Sequence, residues 1–96
     1  MQGQYKVPGG KLVVADFRLQ DNRLRDVRIH GDFFLEPDNA LEAINHALEG
    51  LSADSSLGAI CAAINANLPD GTVMYGFDSA AIAIAILRGL TPVAHG

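Results

Sequence analysis

Val13-Val14-Ala15-Asp16-Phe17-Arg18-Leu19-Gln20-Asp21-Asn22-Arg23-Leu24-Arg25-Asp26-Val27-Arg28-Ile29-His30 alternates apolar and polar side chains on both sides of a turn signal. Val13, Ala15, Phe17 and Leu19 fall on one parity. Asp16, Arg18 and Gln20 fall on the other, which is the two-residue period of a strand with one buried face. Gln20-Asp21-Asn22-Arg23 interrupts the pattern with two residues that tolerate positive φ. Past it, Val27, Ile29 and Phe33 share one parity, and Arg28, His30 and Asp32 take the other. The segment therefore predicts a β-hairpin with one dry and one wet face. A shorter strand around Gln4 to Val7 is expected before it, joined through Pro8-Gly9-Gly10.

Beyond the hairpin the period becomes helical. Pro37 suits a first helical position, because its missing N–H has no intrahelical partner there. Leu41, Ile44 and Leu48 follow at helical spacing, with Gly50 as a C-terminal stop. Asp54 or Ser55 is placed to cap a second helix that carries Leu57, Ile60, Cys61, Ile64 and Leu68 and ends at Pro69-Asp70-Gly71. Asp78 or Ser79 is placed to cap a third, running to Arg88 and stopping at Gly89. Its Ile82, Ile84, Ile86, Leu87 and Leu90 point to more than one side, as in a helix that is central or pressed against another chain. Strands followed by helices predict an α+β fold, a three-stranded antiparallel sheet with three helices packed on one face. The 96 residues make one domain, 1–96, with an ordered core over about 4–90 and a loose tail from Thr91 to Gly96.

Composition narrows the function classes. Seven basic against eleven acidic residues give a formal charge of −4, with a pI near 5.1. Nucleic-acid binding, which calls for a basic patch, is not expected. The single cysteine, Cys61, excludes an internal disulfide and a zinc site built on several thiolates. Met1-Gln2-Gly3-Gln4-Tyr5-Lys6-Val7-Pro8-Gly9-Gly10 has no apolar signal core, and the longest apolar run, Ala80 to Leu87, is too short to cross a bilayer. A cytoplasmic protein without membrane contact is expected.

The local feature that stands out is Lys6-Val7-Pro8-Gly9-Gly10-Lys11, which holds the chain's only two lysines. Glycines let a backbone approach a ligand or partner closely, and two flanking cations suit an acidic or phosphate-bearing group. The plainer reading is a hairpin turn with two solvated lysines. The spacing is not that of a P-loop. The second feature is His30-Gly31-Asp32-Phe33-Phe34. Adjacent strand residues face opposite sides. If the strand continues, Phe33 joins the core and Phe34 points outward beside Asp32 as a docking residue. If it ends at Phe33, Phe34 folds under the following loop. Elsewhere Cys61 lies on an apolar helical stripe, His46 follows Glu42 at the spacing of an exposed charged pair, and His95 lies in the tail. His30 and Asp32 share a wet face, but no third group completes a catalytic set.

At Lys6-Val7-Pro8-Gly9-Gly10-Lys11-Leu12, and again at Gly31-Asp32-Phe33-Phe34, the chain resembles the accessory domain of lipoate-protein ligases. The resemblance runs from about Tyr5 to Leu90 and includes Leu48-Glu49-Gly50 at the end of the first helix. It implies a fold similar to iron–sulfur scaffold and sulfur-acceptor proteins. It also implies a heterodimer with a catalytic lipoate-protein ligase subunit, which activates lipoate with ATP to lipoyl-adenylate and transfers the lipoyl group to a lysine of an acceptor. ATP, Mg and lipoate are then expected on the catalytic subunit, with no cofactor and no catalytic residue on this chain. Lys6, Pro8, Gly9, Gly10 and Lys11 are expected to form a loop facing the partner or its active site, with Asp32 and Phe34 as docking residues. Two alternatives stand beside this reading. One is an iron–sulfur scaffold or sulfur-transfer protein, which would need several cysteines or one in an exposed loop. The other is a self-associating ligand-binding module whose apolar third helix forms a homodimer face.

Overall fold

A computed structural model describes residues 1–90; the expected loose tail, Thr91 to Gly96 with His95, lies outside them. Strands β1 (Gln2–Lys6), β2 (Leu12–Gln20) and β3 (Arg23–Gly31) form an antiparallel sheet in the order β1-β2-β3. Asp21 and Asn22 take φ of 53° and 61°. That is the two-residue turn whose twist matches a pair of strands.

One irregularity changes which side chains reach the core. Asp16 pairs with Arg28, but Arg18 pairs with Arg25, so Asp26 and Val27 together face Phe17. This is a β-bulge, with Asp26 at φ 53°. It reverses the parity of β3. Leu24 points inward before the bulge, Val27 and Ile29 after it. The single parity expected from Val27 and Ile29 therefore holds only beyond Asp26, and Leu24 joins the core unannounced.

The chain adds two short strands to the expected three, and one of them interrupts the run of helices. Strand β4 (Phe34–Glu36) follows β3, and β5 (Val73–Tyr75) lies between the second and third helices; the two pair antiparallel as a separate ribbon. Pairing holds the chain extended as far as Glu36, so Pro37 cannot open the first helix. Its carbonyl instead accepts from Ala40 N at 2.9 Å, closing a turn. Helix α1 then spans Ala40–Leu48, and Gly50 follows its end at φ 79°. Helix α2 spans Leu57–Asn67. Ser56, rather than Asp54 or Ser55, caps it by accepting from Ala59 N. Helix α3 spans Ser79–Leu90, with Asp78 accepting from Ala81 N at 2.8 Å.

α1 packs over β3, α3 over β1 and β2, and α2 against both helices. Val13, Ala15, Phe17, Leu24, Val27 and Ile29 from the sheet meet Ile44, Leu48, Ile60, Ile64, Ile82 and Ile86 from the helices in one core. The many-sided apolar surface of α3 is thus covered within this chain: Ala81, Ile82, Ala83, Ala85 and Ile86 are all buried. This removes the main support for a homodimer face on α3. The helix runs past Gly89 to Leu90, and the glycine there allows a close contact instead of ending the helix. Phe17 and the Gly3 backbone occupy the space a side chain on Gly89 would need. Arg88 lies beside the same seam, donating to Gln4 O and covering the Tyr5 ring at 4.9 Å.

The outer rim of β3 is satisfied by the α1 region. Val27 N donates to Glu49 Oε1 at 2.7 Å and Ile29 N to Asn45 Oδ1 at 3.0 Å. Leu24 N donates to Leu51 O, and Gly50 N to Leu24 O.

Candidate functional site

The two sequence features that stand far apart in the chain converge at one end of the molecule, and a third segment joins them. Val7-Pro8-Gly9-Gly10 is a tight turn in which Gly10 N donates to Val7 O at 2.8 Å, with Gly9 at φ 71°. Proline second and a positive-φ glycine third are what a type II turn requires. Val7 N donates to Lys11 O at 3.1 Å. The turn is then fastened on two sides. Lys11 N donates to Gly76 O at 2.8 Å, just past β5. Leu12 N donates to Asp32 Oδ1 at 2.9 Å, just past β3.

Asp32 therefore braces the loop through its carboxylate. Its expected wet-face partner, His30, bonds instead to Asp16 across the sheet, so no His30–Asp32 dyad exists. The His30 contact, and then the Gln2 amide, hold the Asp16 carboxyl below its ordinary range. The ion pairs among the described residues are Arg18–Asp26 and His30–Asp16, so Glu42 and His46 do not form one.

β3 ends at Gly31, and the two phenylalanines part company after it. Phe33 turns inward and stacks on Phe77, with ring centroids 4.0 Å apart. Phe34 begins β4 and is 70% exposed. Its exposure thus comes from the ribbon and not from a continued β3. Directly opposite Phe34 in the ribbon lies Tyr75, 47% exposed, and opposite Glu36 lies Val73, 43% exposed. Leu35 and Met74 alternate to the inner side and pack against the core. The ribbon's outer side thus presents two aromatic rings and a valine, with Glu36 at one end. The Pro8-Gly9 turn and Lys11, all exposed, sit at the other end through Gly76. Apolar centres with polar rims are characteristic of surfaces that bind proteins. Sequence reading located Phe34 and the loop but not Val73, Tyr75 or Gly76. The available signal was Val73-Met74-Tyr75, three strand-favouring residues between Gly71 and Gly76.

Outside this end the chemistry is sparse. Among the described residues no group of three or more His, Cys, Asp or Glu side chains is placed to hold a metal ion, and no helix is long and apolar enough to cross a membrane. Cys61 is partly buried on α2, and burial, with the Asp78 carboxylate nearby, pushes its thiol up from the ordinary value. Little reactive thiolate forms at neutral pH as a result. Cys61 should alkylate with iodoacetamide several-fold more slowly than free cysteine, followed by mass spectrometry. A rate equal to that of the free amino acid would restore the case for sulfur transfer.

No protein-family model and no curated protein matches the chain. A chain from the solved structure of an archaeal lipoylation system of Thermoplasma acidophilum, a bi-partite lipoate protein ligase and its E2 lipoyl domain, has the same fold. The TM-score is 0.71 over 90% of this chain and 92% of that one, at 24% sequence identity. At that identity the likeness is one of fold.

Proposed function

We propose that this chain is the accessory subunit of a two-part lipoate-protein ligase, acting by docking its loop-and-ribbon end on a catalytic subunit. The observation that carries the reading is the meeting of the Lys6–Leu12 loop with the Gly31–Phe34 segment, held by the Leu12–Asp32 hydrogen bond, while the Lys11–Gly76 bond ties the same loop to the end of β5. These are the two stretches that resemble the ligase accessory domain. The fold is shared with a chain of a bi-partite ligase system, which supports the same reading.

In this reading ATP, magnesium and lipoate bind to the catalytic subunit, and so does the acyl-adenylate. Adenylation requires a carboxylate and an α-phosphate to be held together away from water. The chain described here contributes position and closure. Phe34 and Tyr75 enter an apolar hollow of the partner, and the rigid Pro8-Gly9 turn comes up to its active-site loops. The turn is already fastened on both sides, so little ordering is left to oppose binding.

The test is reconstitution. A catalytic lipoate-ligase subunit is assayed for lipoate-dependent pyrophosphate release with and without this chain. We expect release to rise by about tenfold or more on addition, the effect of roughly 1.4 kcal/mol on the barrier. Equal rates with and without the chain would sink the proposal.

A further inference from the structure

We propose that the outer edge of β1 is a pairing site for β1 of a second copy of this chain, and that Arg88 holds that site shut. The inference concerns a different surface from the docking end and stands without it.

The register of β1 shows where its main chain points. Met1 N donates to Phe17 O at 2.7 Å, and Phe17 N donates to Met1 O at 2.9 Å. In an antiparallel pair such bonded pairs alternate with unbonded ones. Gly3 and Tyr5, opposite Ala15 and Val13, therefore turn their N–H and C=O toward β2. Gln2, Gln4 and Lys6 turn theirs away from it. Arg88 agrees with this parity, because its Nη1 donates to Gln4 O at 3.2 Å from outside the sheet. Among the described residues, that is the one hydrogen bond reaching the outward main-chain groups of Gln2, Gln4 and Lys6. β1 contains no proline, and its pairing with β2 runs from Gln2 to Lys6 without a bulge. A regular row of unpaired main-chain groups invites another strand.

Arg88 reaches this row because of the seam next to it. Ala85 O and the Gly89 backbone fill the space that a Cβ on Gly3 would need. α3 thus lies directly against the strand, and the residue before Gly89 emerges at its edge. The Arg88 guanidinium carbon lies over the Tyr5 ring, 4.9 Å from its centroid, and this contact fixes the charge in place.

The symmetry of the row names the occupant. Two antiparallel copies of β1 pair in full when Gln4 meets Gln4 on a twofold axis, with Gln2 opposite Lys6 on either side. No like charges then stand opposite each other within the strands. The obstacle is Arg88, which sits on the acceptor of the central residue. Pairing would bring both guanidinium groups to one axis, where they repel. A charge at the centre of the edge acts most sharply against an identical chain, because that chain brings the same charge.

The test is sedimentation equilibrium on the full chain across a concentration series. Arg88→Ala is expected to self-associate at least about tenfold more tightly than wild type, the effect of relieving like charges brought together at an interface. Arg88→Lys keeps the charge and should behave as wild type. Gln4→Pro, added to Arg88→Ala, removes the N–H at the axis without breaking a bond to β2. Edge strands tolerate proline where the N–H faces outward. This double variant should return to the wild-type level. The Tyr5 ring is uncovered in both Arg88→Ala chains, so the comparison separates strand pairing from attraction to the ring. Amide hydrogen exchange gives a second reading that needs only Arg88→Ala. In wild type, Gln2, Gln4 and Lys6 should exchange fast beside protected Gly3 and Tyr5. In Arg88→Ala the same three amides should slow as concentration rises. The proposal is overturned by an Arg88→Ala chain no more associated than wild type, or by association that a folded Gln4→Pro double variant retains. Arg88→Lys associating as Arg88→Ala does, or outward amides in the wild-type chain as protected as that of Gly3, overturns it equally.

Discussion

Gly3→Ala is expected to destabilise the domain by about 3 kcal/mol, the upper part of the range for forcing extra atoms into a packed interior. The added Cβ would lie 1.9 Å from Ala85 O and 2.3 Å from Gly89 N. Both are backbone atoms inside α3, so no side-chain rotation relieves the overlap. Either α3 lifts from β1 or β1 leaves the sheet, and Ile82, Ala85 and Ile86 lose part of their cover. For a domain of this size the loss corresponds to a fall in Tm of roughly 12–24 °C. Gly58→Ala is the matched control. It sits on α2 with nothing within 4 Å of the new atom. There the same substitution should be neutral or stabilise by up to about 1 kcal/mol, through helix propensity. Thermal melts followed by circular dichroism read both. Melts of Gly3→Ala within a few degrees of wild type would mean that β1 and α3 do not approach this closely.

The second large effect concerns binding and leaves the fold alone. Replacing Phe34 and Tyr75 together by alanine should weaken association with the catalytic ligase subunit by about 100-fold, as expected when two aromatic anchors of an interface are truncated. The same change should cost the isolated chain at most about 1 kcal/mol, the value of one cross-strand aromatic pair. Both rings are well exposed, and the ribbon keeps its inner residues Leu35 and Met74. Calorimetric titration against the ligase subunit, beside a melt of the free variant, gives the two numbers. An unchanged Kd with an unchanged melt would move the docking surface away from the ribbon.

These two variants also mark where sequence was informative. The hairpin was legible because Val13, Ala15 and Phe17 alternate strictly and Asp21-Asn22 suits a positive-φ turn. Leu24 was not, because one inserted residue at Asp26 reverses the parity on which such reading depends. The apolar breadth of α3 showed that the helix is covered on several sides. It did not show by what, and the cover proved to be β1, β2 and α2. The β4–β5 ribbon was missed because three residues are too few for a period, and its paired residues stand far apart in the chain, as Phe34 and Tyr75 do. Lys6 and Lys11 were equivalent on paper. Only the partner atoms, Gly10 O for one and the bare Cα of Gly76 beneath the other, distinguish them.

The seal along β3 has a consequence for how this molecule meets others. A sheet of three strands offers two flanks to which a foreign strand could attach by main-chain hydrogen bonds, a common route to unwanted polymers. On the β3 flank, Glu49, Asn45 and Leu51 already hold the donors that such a strand would seek. Growth of the sheet in that direction would first have to peel away the first helix.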